Sequence, residues 1–244
     1  MAQEKNKPEY RLNRYLARAG IASRRKSDLL IQGGQVSVNG KVVTVPGFRV
    51  SGNDKVAFQG YPVKLQPFRT AVLNKPHGFE TTLSPDAKRS ILMLITGLPP
   101  GTVPVGRLDI NTGGLLLLSN DGELVNRLTH PSWEVEREYR VFLKNAPGPS
   151  ALQSLRKGAS IGRSEFSKPI SVKSSGKNSI NVVLRTGRNH EVRRLLEACG
   201  ILLEGLERVR YASVTLRGLQ RGKWRMLEDD ELRELMKTVK LDKS

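Results

Sequence analysis

A chain of 244 residues with 38 % apolar side chains can bury one substantial core, or a core with a small satellite, and two domains are expected. Its 41 Lys and Arg against 23 Asp and Glu leave a net charge of +18, which favours a polyanionic partner gripped through phosphates, nucleic acid first. The single cysteine, Cys199, excludes an intrachain disulfide or thiolate cluster, and His77, His130 and His190 show no ligand spacing, so no metal is expected. No apolar run is long enough to span a bilayer and residues 1–8 are polar, unlike a signal peptide, so we expect a soluble, cytoplasmic protein without a membrane partner.

Basic charge is densest at the start, with 13 Lys or Arg against 4 Asp or Glu in residues 1–69. There Leu12, Tyr15, Leu16, Ala19 and Ile21 recur at helical spacing until Gly20 breaks the pattern. Ser23 is placed to cap a second helix with Leu29, Leu30 and Ile31 as its buried-looking residues, ended by Gly33-Gly34. Val36 and Val38, the Asn39-Gly40 turn signal and Val42-Val43 follow as a hairpin. Arg14, Arg18, Arg24, Arg25 and Lys26 can then flank one surface; a charge run of this kind is either an RNA-binding face or simply a solvated one. Gly60 to Phe68, with Pro62 and Pro67, reads as a stiff connector. We set a first domain at 10–62, a linker at 63–69, a second domain at 70–236 and a basic tail at 237–244.

Ala71-Val72-Leu73 reads as a strand ending in a turn, Asn74 to Gly78, that leaves Lys75 and His77 exposed and able to touch phosphate. Ser90 to Ile95 looks helical. Val103 and Val105, then Leu115-Leu116-Leu117-Leu118, read as two buried strands that frame Asp109 in a tight loop with apolar walls. A carboxylate there is costly unless it is paired, protonated, or set in a cleft that substrate closes. It also admits a plain reading as turn chemistry, with Asn111 and Thr112 bonding nearby backbone and Gly113 and Gly114 at positive φ. A phosphate loop is disfavoured because the Gly-Lys-Ser/Thr ending is missing.

Further along, a helix is expected from Glu123 with Leu124, Val125 and Leu128 on one face, and a strand over Glu134 to Leu143 with Val135, Tyr139, Val141 and Leu143 sharing a side. On that pattern alone Tyr139 is equally a core residue. Pro147 to Lys157 suggests a helix, and Ser164 to Leu184 an antiparallel pair turning at Ser175 to Asn178. The basic loop Arg185 to Arg194, in which Arg188 is an expected RNA contact, enters a helix over Glu191 to Ala198. Val209 to Leu216 is a further strand and Glu228 to Val239 a last amphipathic helix. Strands interleaved irregularly with helices favour an α+β fold: a small helical and hairpin domain, then a mainly antiparallel mixed sheet flanked by helices.

Gly106-Arg107-Leu108-Asp109, Thr112, Gly114 to Leu118 and Asn120-Asp121-Gly122 together resemble the catalytic segment of the ribosomal RNA pseudouridine synthases that carry an added RNA-binding module. Leu73 to Gly78, Glu136 to Val141 and Gly187 to Arg194 resemble that family's other motifs, in its order. Leu12 to Phe58 resembles the module itself, named for a small-subunit ribosomal protein and also called alpha-L. The resemblance implies conversion of uridine to pseudouridine in ribosomal RNA, a reaction with no net redox change or group transfer, so no cofactor is expected; we also expect a monomer. It implies Asp109 as the carboxylate acting on sugar or base, Arg193 as its ion-pair partner, Tyr139 stacking on the target base, and Arg107 filling the space left by the extruded nucleotide. Glu191 departs from it, standing where many relatives have glutamine.

Gly122 to Tyr139 most resembles the large-subunit branch, so a stem-loop of large-subunit rRNA is the expected substrate, with small-subunit rRNA as the alternative. A non-catalytic RNA-binding assembly protein would need only the basic module, and a methyltransferase lacks its expected Gly-rich turn.

Overall fold

A computed structural model describes residues 9–241; the polar start, 1–8, and the last residues of the expected tail, 242–244, lie outside the described residues. The chain divides into two units, one running up to Arg69 with Leu98–Thr102, the other Thr70–Gly97 with the chain from Val103 onward.

In the first unit, α1 (Leu12–Arg18) and α2 (Arg24–Gln32, its N-terminus capped by Ser23 Oγ accepting from Lys26 N) pack on a small sheet. Its strands, β1 (Val36–Val38), β2 (Lys41–Val42), β3 (Val56–Phe58) and β4 (Tyr61–Pro62), lie in the order β2-β1-β3-β4. Asn39 and Gly40 take φ of 52° and 81°, the primed turn that matches strand twist. Leu12, Leu16, Ile31, Val36 and Val50 close the core. Leu29 is 67 % exposed, against expectation, because Ser27 and Ile31, four residues apart, take the inward face of α2 and turn Leu29 away.

The connector is also different from its reading. Val63 is buried and Leu65 packs on the same core, the Tyr15 hydroxyl donates to Val63 O (3.2 Å), and Arg18 Nη2 donates to Gln66 O (3.2 Å). These contacts fasten the segment to the first unit.

The second unit is built on a nine-stranded sheet. We label β5 (Thr70–Lys75), β6 (Val103–Pro104), β7 (Gly113–Ser119), α3 (Gly122–Thr129), β8 (Arg137–Leu143), α4 (Pro149–Lys157), β9 (Ser171–Gly176) and β10 (Ser179–Leu184). After them come α5 (Glu191–Ala198), β11 (Leu203–Tyr211), β12 (Val214–Thr215), β13 (Trp224–Met226) and α6 (Asp229–Thr238). The order is β9-β10-β8-β11-β7-β5-β13, with β12 on β11 and β6 on β7. Every pairing is antiparallel except β11 with β7, where Glu207 lies beside Gly113 and Arg208 beside Gly114. All seven residues of β7 are buried, which is why its leucines run unbroken instead of alternating. Leu115 and Leu117 pack with α3 and α6, whereas β8 and β10 pack with α4 and α5 in a second core.

Four further expectations shift. Ser90 to Ile95 makes only a short 3-10 turn, Ile91–Met93. The strand expected over 209–216 is the end of the longer β11, followed by a turn at Ala212 (φ 51°) and the return strand β12. Glu134 adopts φ 46°, so β8 begins at Arg137. The expected tail is held over 237–241: Lys237 and Thr238 end α6, and Val239 and Leu241 are buried in the core.

Candidate active site

The loop between β6 and β7 carries Asp109 because its neighbours anchor it from both sides. Leu108 is buried while Arg107 and Ile110 are exposed, and the Asp109 side chain is one-third exposed. Thr81 Oγ1 donates to Leu108 O (2.7 Å) and accepts from Leu108 N (3.2 Å), Gly78 N donates to Ile110 O (2.7 Å), and Thr112 N closes a turn on Asp109 O (2.9 Å). The turn chemistry is thus present, but it is made by backbone and leaves the Asp109 carboxylate free of it.

Beneath the loop lies Lys75. Its Nζ donates to Thr112 O (2.8 Å), Pro76 O (3.1 Å) and Asp109 O (3.2 Å), and the residue is fully buried. The expectation of an exposed, phosphate-touching lysine is corrected: the end of β5 points Lys75 inward, where the three loop carbonyls satisfy its three N–H groups. Burial pushes its pKa down to about 8, with Asp109 opposing the shift and Arg208 adding to it. His77 lies partly exposed on the other flank, Nδ1 3.3 Å from Asn111 O and Nε2 3.4 Å from Glu207 Oε1.

Two glycines are demanded by this packing. A Cβ on Gly113 would lie 2.8 Å from His77 Nε2, although its φ is ordinary. At Gly114, φ is +94° and a Cβ would lie 2.3 Å from Arg208 O, so only glycine admits the parallel β7–β11 contact.

Asp109 opens onto a cleft of about 560 Å³ lined by Arg107, Tyr139, Arg188, Arg193 and Arg208 among others, a volume that suits a nucleoside-sized ligand. Sequence-expected Asp109, Tyr139, Arg193, Arg107 and Arg188 are therefore brought together. Arg193 does not make the expected ion pair. Its Nη2 donates to Asn111 O (2.6 Å) and Thr112 Oγ1 (3.3 Å), acceptors that the loop offers to the first turn of α5. The Asp109 carboxylate instead faces His190, with Nε2 3.4 Å from Oδ1. His190 precedes α5 in a left-handed conformation (φ 52°), which was not legible from its sequence position.

Glu191, the departure from the family pattern, is 4 % exposed and well supplied. Its Oε1 accepts from Thr186 Oγ1 (2.5 Å) and Ser167 Oγ (2.8 Å), and Oε2 from Arg188 N (3.1 Å). Arg188 Nη1 stands 3.7 Å from the same carboxylate and donates to Phe166 O (2.5 Å). Three donors and a cation stabilise the charge of a buried glutamate. Arg188 is consequently held in place at the cleft wall.

Arg137, Arg208 and Tyr211 also line the cleft and were not assigned to it from sequence. Arg137 is buried, donating through Nη1 to Val135 O (3.1 Å) and Arg185 O (3.2 Å) and through Nη2 to Leu128 O (3.0 Å) and the Tyr211 hydroxyl (3.1 Å). Arg208 and Arg137 place their guanidinium carbons 4.7 Å and 4.9 Å from the Tyr211 ring centroid. Arg137 stands at an odd position, on the side of Val135, Tyr139 and Val141, so the period-2 pattern of the strand points it inward; its charge is what masks that signal.

On the first unit, Arg14, Arg24, Arg25 and Lys26 are exposed. Arg18 differs: it is half-buried, its Nη1 donates to the Tyr10 hydroxyl (3.1 Å), and its guanidinium carbon lies 3.9 Å from the Phe68 ring centroid. Stacking and hydrogen bonding hold it to its own domain and withdraw it from the free cationic surface.

Comparison with known proteins adds independent findings. Residues 69–198 match the RNA pseudouridylate synthase family, and residues 11–56 match the S4 domain. The chain is 40 % identical to an uncharacterized RNA pseudouridine synthase of Aquifex aeolicus, over 96 % of each chain. It is 37 % identical to ribosomal large subunit pseudouridine synthase B of Bacillus subtilis, over 92 % of this chain and 95 % of that one. A crystal structure of a pseudouridylate synthase superposes with a TM-score of 0.67 at 26 % identity, covering 92 % of this chain and 99 % of the other. By these matches the chain belongs to the RNA pseudouridylate synthase family and is a uridine isomerase carrying an S4 domain at its N-terminal side.

Proposed function

We propose that the protein isomerises one uridine in a stem-loop of large-subunit ribosomal RNA, with Asp109 as the catalytic carboxylate. The observation that carries this is the meeting of Asp109, Arg107, Tyr139 and Arg193 on one cleft, with Asp109 partly open to it. The reaction breaks the C1′–N1 bond, turns the base, forms C5–C1′, and moves a proton from C5 to N1. Nothing is oxidised or transferred away, so the electron balance calls for no cofactor or metal.

A uridine inside RNA structure must be extruded to reach such a cleft, and specific RNA recognition favours loops whose bases can be splayed out. Arg107, exposed on the lip beside Asp109, enters the vacated space, where a planar guanidinium can stack and contact phosphate. Tyr139 stacks on the extruded base. Arg193, seated on the carbonyl of Asn111, is the cation assigned to the Asp109 carboxylate once RNA is bound. Arg188 contacts the backbone near the cleft. Arg14, Arg24, Arg25 and Lys26 of the S4 domain supply phosphate contacts that fix register without reading sequence.

The large-subunit assignment is supported by the resemblance of Gly122 to Tyr139 to that branch and by the Bacillus subtilis relative, itself named for the large subunit. The enzyme works as a monomer in the cytoplasm, where its ribosomal RNA is. Mapping pseudouridines in rRNA from cells lacking the protein tests the reading: one position should disappear from large-subunit rRNA and return on complementation. Loss confined to small-subunit rRNA, or spread over many sites, would refute it.

A further inference from the structure

Arg137 and Arg208 both place a guanidinium against the Tyr211 ring at the cleft, yet they are satisfied very differently. Arg137 gives each of its terminal nitrogens acceptors within 3.1 Å. Arg208 is 2 % exposed, its Nε donates to Leu115 O (2.8 Å), and its Nη2 is buried with no hydrogen-bond partner among the described residues. A buried N–H left without an acceptor is costly, and more so on a charged group. Arg208 is locked by the parallel contact with Gly114, immediately after the catalytic loop, and lies directly opposite Tyr139 across the β8–β11 pair. Residues opposite one another in a sheet share a face, so Arg208 and Tyr139 present themselves to the same side of the cleft.

We propose that Arg208 is a further catalytic residue, whose Nη2 donates a hydrogen bond to a carbonyl oxygen of the uracil turned into the cleft. This rests on the pseudouridine synthase reading given above. When C1′–N1 breaks with its electron pair remaining on N1, the freed uracil carries negative charge spread onto O2 and O4. A fixed guanidinium donor in a site closed to water is the arrangement that stabilises such a charge. Uracil has a further property that suits one fixed donor. A half-turn about its N3–C6 axis exchanges N1 with C5 and O2 with O4, so the same Nη2 holds O2 before the turn and O4 after it. The new C5–C1′ bond then forms, C5 gives up its proton, and N1 ends protonated.

The test uses full-length protein and an RNA stem-loop containing the target uridine, read as single-turnover pseudouridine formation at saturating RNA. Arg208→Gln is expected to slow turnover about 100-fold, the usual loss for one donor to a developing oxyanion, with RNA affinity within about threefold. Arg208→Lys should recover part of it, since charge and reach are retained. RNA carrying 2-thiouridine or 4-thiouridine at the target, where sulfur is the poorer acceptor, should slow the wild type about tenfold or more. The same substitutions should add nothing to Arg208→Gln. Slowing by one analogue alone assigns the contact to that oxygen and upholds it. Wild-type turnover unaffected by either analogue overturns the proposal, and does so even if Arg208→Gln fails to fold. Independent, multiplying effects of thio substitution and Arg208→Gln overturn it too. Wild-type protein that forms no pseudouridine at all would instead overturn the reading of the site.

Discussion

Replacing Lys75 by methionine keeps most of the side chain's length and removes the charge on which the Asp109 loop rests. Depressing the lysine pKa from 10.5 to about 8 means that the folded state holds this ammonium at a cost of about 3 kcal/mol, which methionine relieves. Against that, three carbonyls, of Pro76, Asp109 and Thr112, lose a charged donor, at about 1.5–3 kcal/mol each. The losses exceed the relief by about 2 kcal/mol or more, so Lys75→Met is expected to fold with a melting temperature lower by roughly 4–8 °C. The loop that positions Asp109 loses its support, and pseudouridine formation at saturating RNA should fall at least about 100-fold.

The pH dependence sharpens the test. Because the folded-state pKa is depressed, the unfolded chain binds the extra proton between about pH 8 and 10.5, and Lys75's contribution to stability rises across that window and is lost as pH falls through about 8. Activity should move the other way, since a neutral amine has two N–H groups for three carbonyls. Wild-type turnover should decline as pH rises through about 8 and whatever activity remains in Lys75→Met should lack that limb. Full turnover in a folded Lys75→Met protein would refute the claim that this lysine holds the loop.

Gly114→Ala should destabilise the protein by about 3 kcal/mol or more, since it adds a Cβ against the Arg208 backbone at a positive φ; an urea melt reads this, and a change below 1 kcal/mol would contradict the need for glycine there. Glu191→Gln should be mild, within about 1–2 kcal/mol in stability and fivefold in turnover, because an amide can turn its oxygen to Arg188 N–H and its NH2 to the Ser167 and Thr186 hydroxyls. Neutralising Arg14, Arg24, Arg25 and Lys26 together as glutamines should reduce the slope of log affinity against log salt by about 3, at 0.7–0.9 per phosphate contact, measured by RNA binding across a salt series. An unchanged slope would show that these exposed cations do not meet RNA.

The elements with long, strongly periodic patterns were legible in the sequence. The Val192, Leu195, Leu196 stripe placed α5 at its observed bounds, and the Asn39-Gly40 pair marked its hairpin. What escaped was set by tertiary contact. Lys75 carries no mark that separates it from an exposed lysine after a strand, because two of the three carbonyls that receive it, those of Asp109 and Thr112, come from a loop over thirty residues away in the chain. Leu203 to Tyr211 was read short because Glu204, Glu207, Arg208 and Arg210 break up its apolar pattern. Arg208 is buried by the parallel neighbour β7, which no local pattern announces. At the site, motif order brought Asp109, Arg107, Tyr139, Arg188 and Arg193 to one cleft, whereas the seat of Arg193 on Asn111 and the approach of His190 to Asp109 depend on rotamers and on one left-handed residue.

The central claim, that Asp109 carries a uridine isomerisation, is met most directly by incubating wild-type and Asp109→Asn proteins with a transcribed large-subunit rRNA stem-loop, no cofactor added, and measuring pseudouridine beside RNA affinity. Asparagine keeps the shape of the side chain and deletes the charge the chemistry uses, so the expected result is pseudouridine at one position with wild type, none with Asp109→Asn, and similar binding for both. Pseudouridine formed by the folded Asp109→Asn protein at a rate near wild type would contradict the claim.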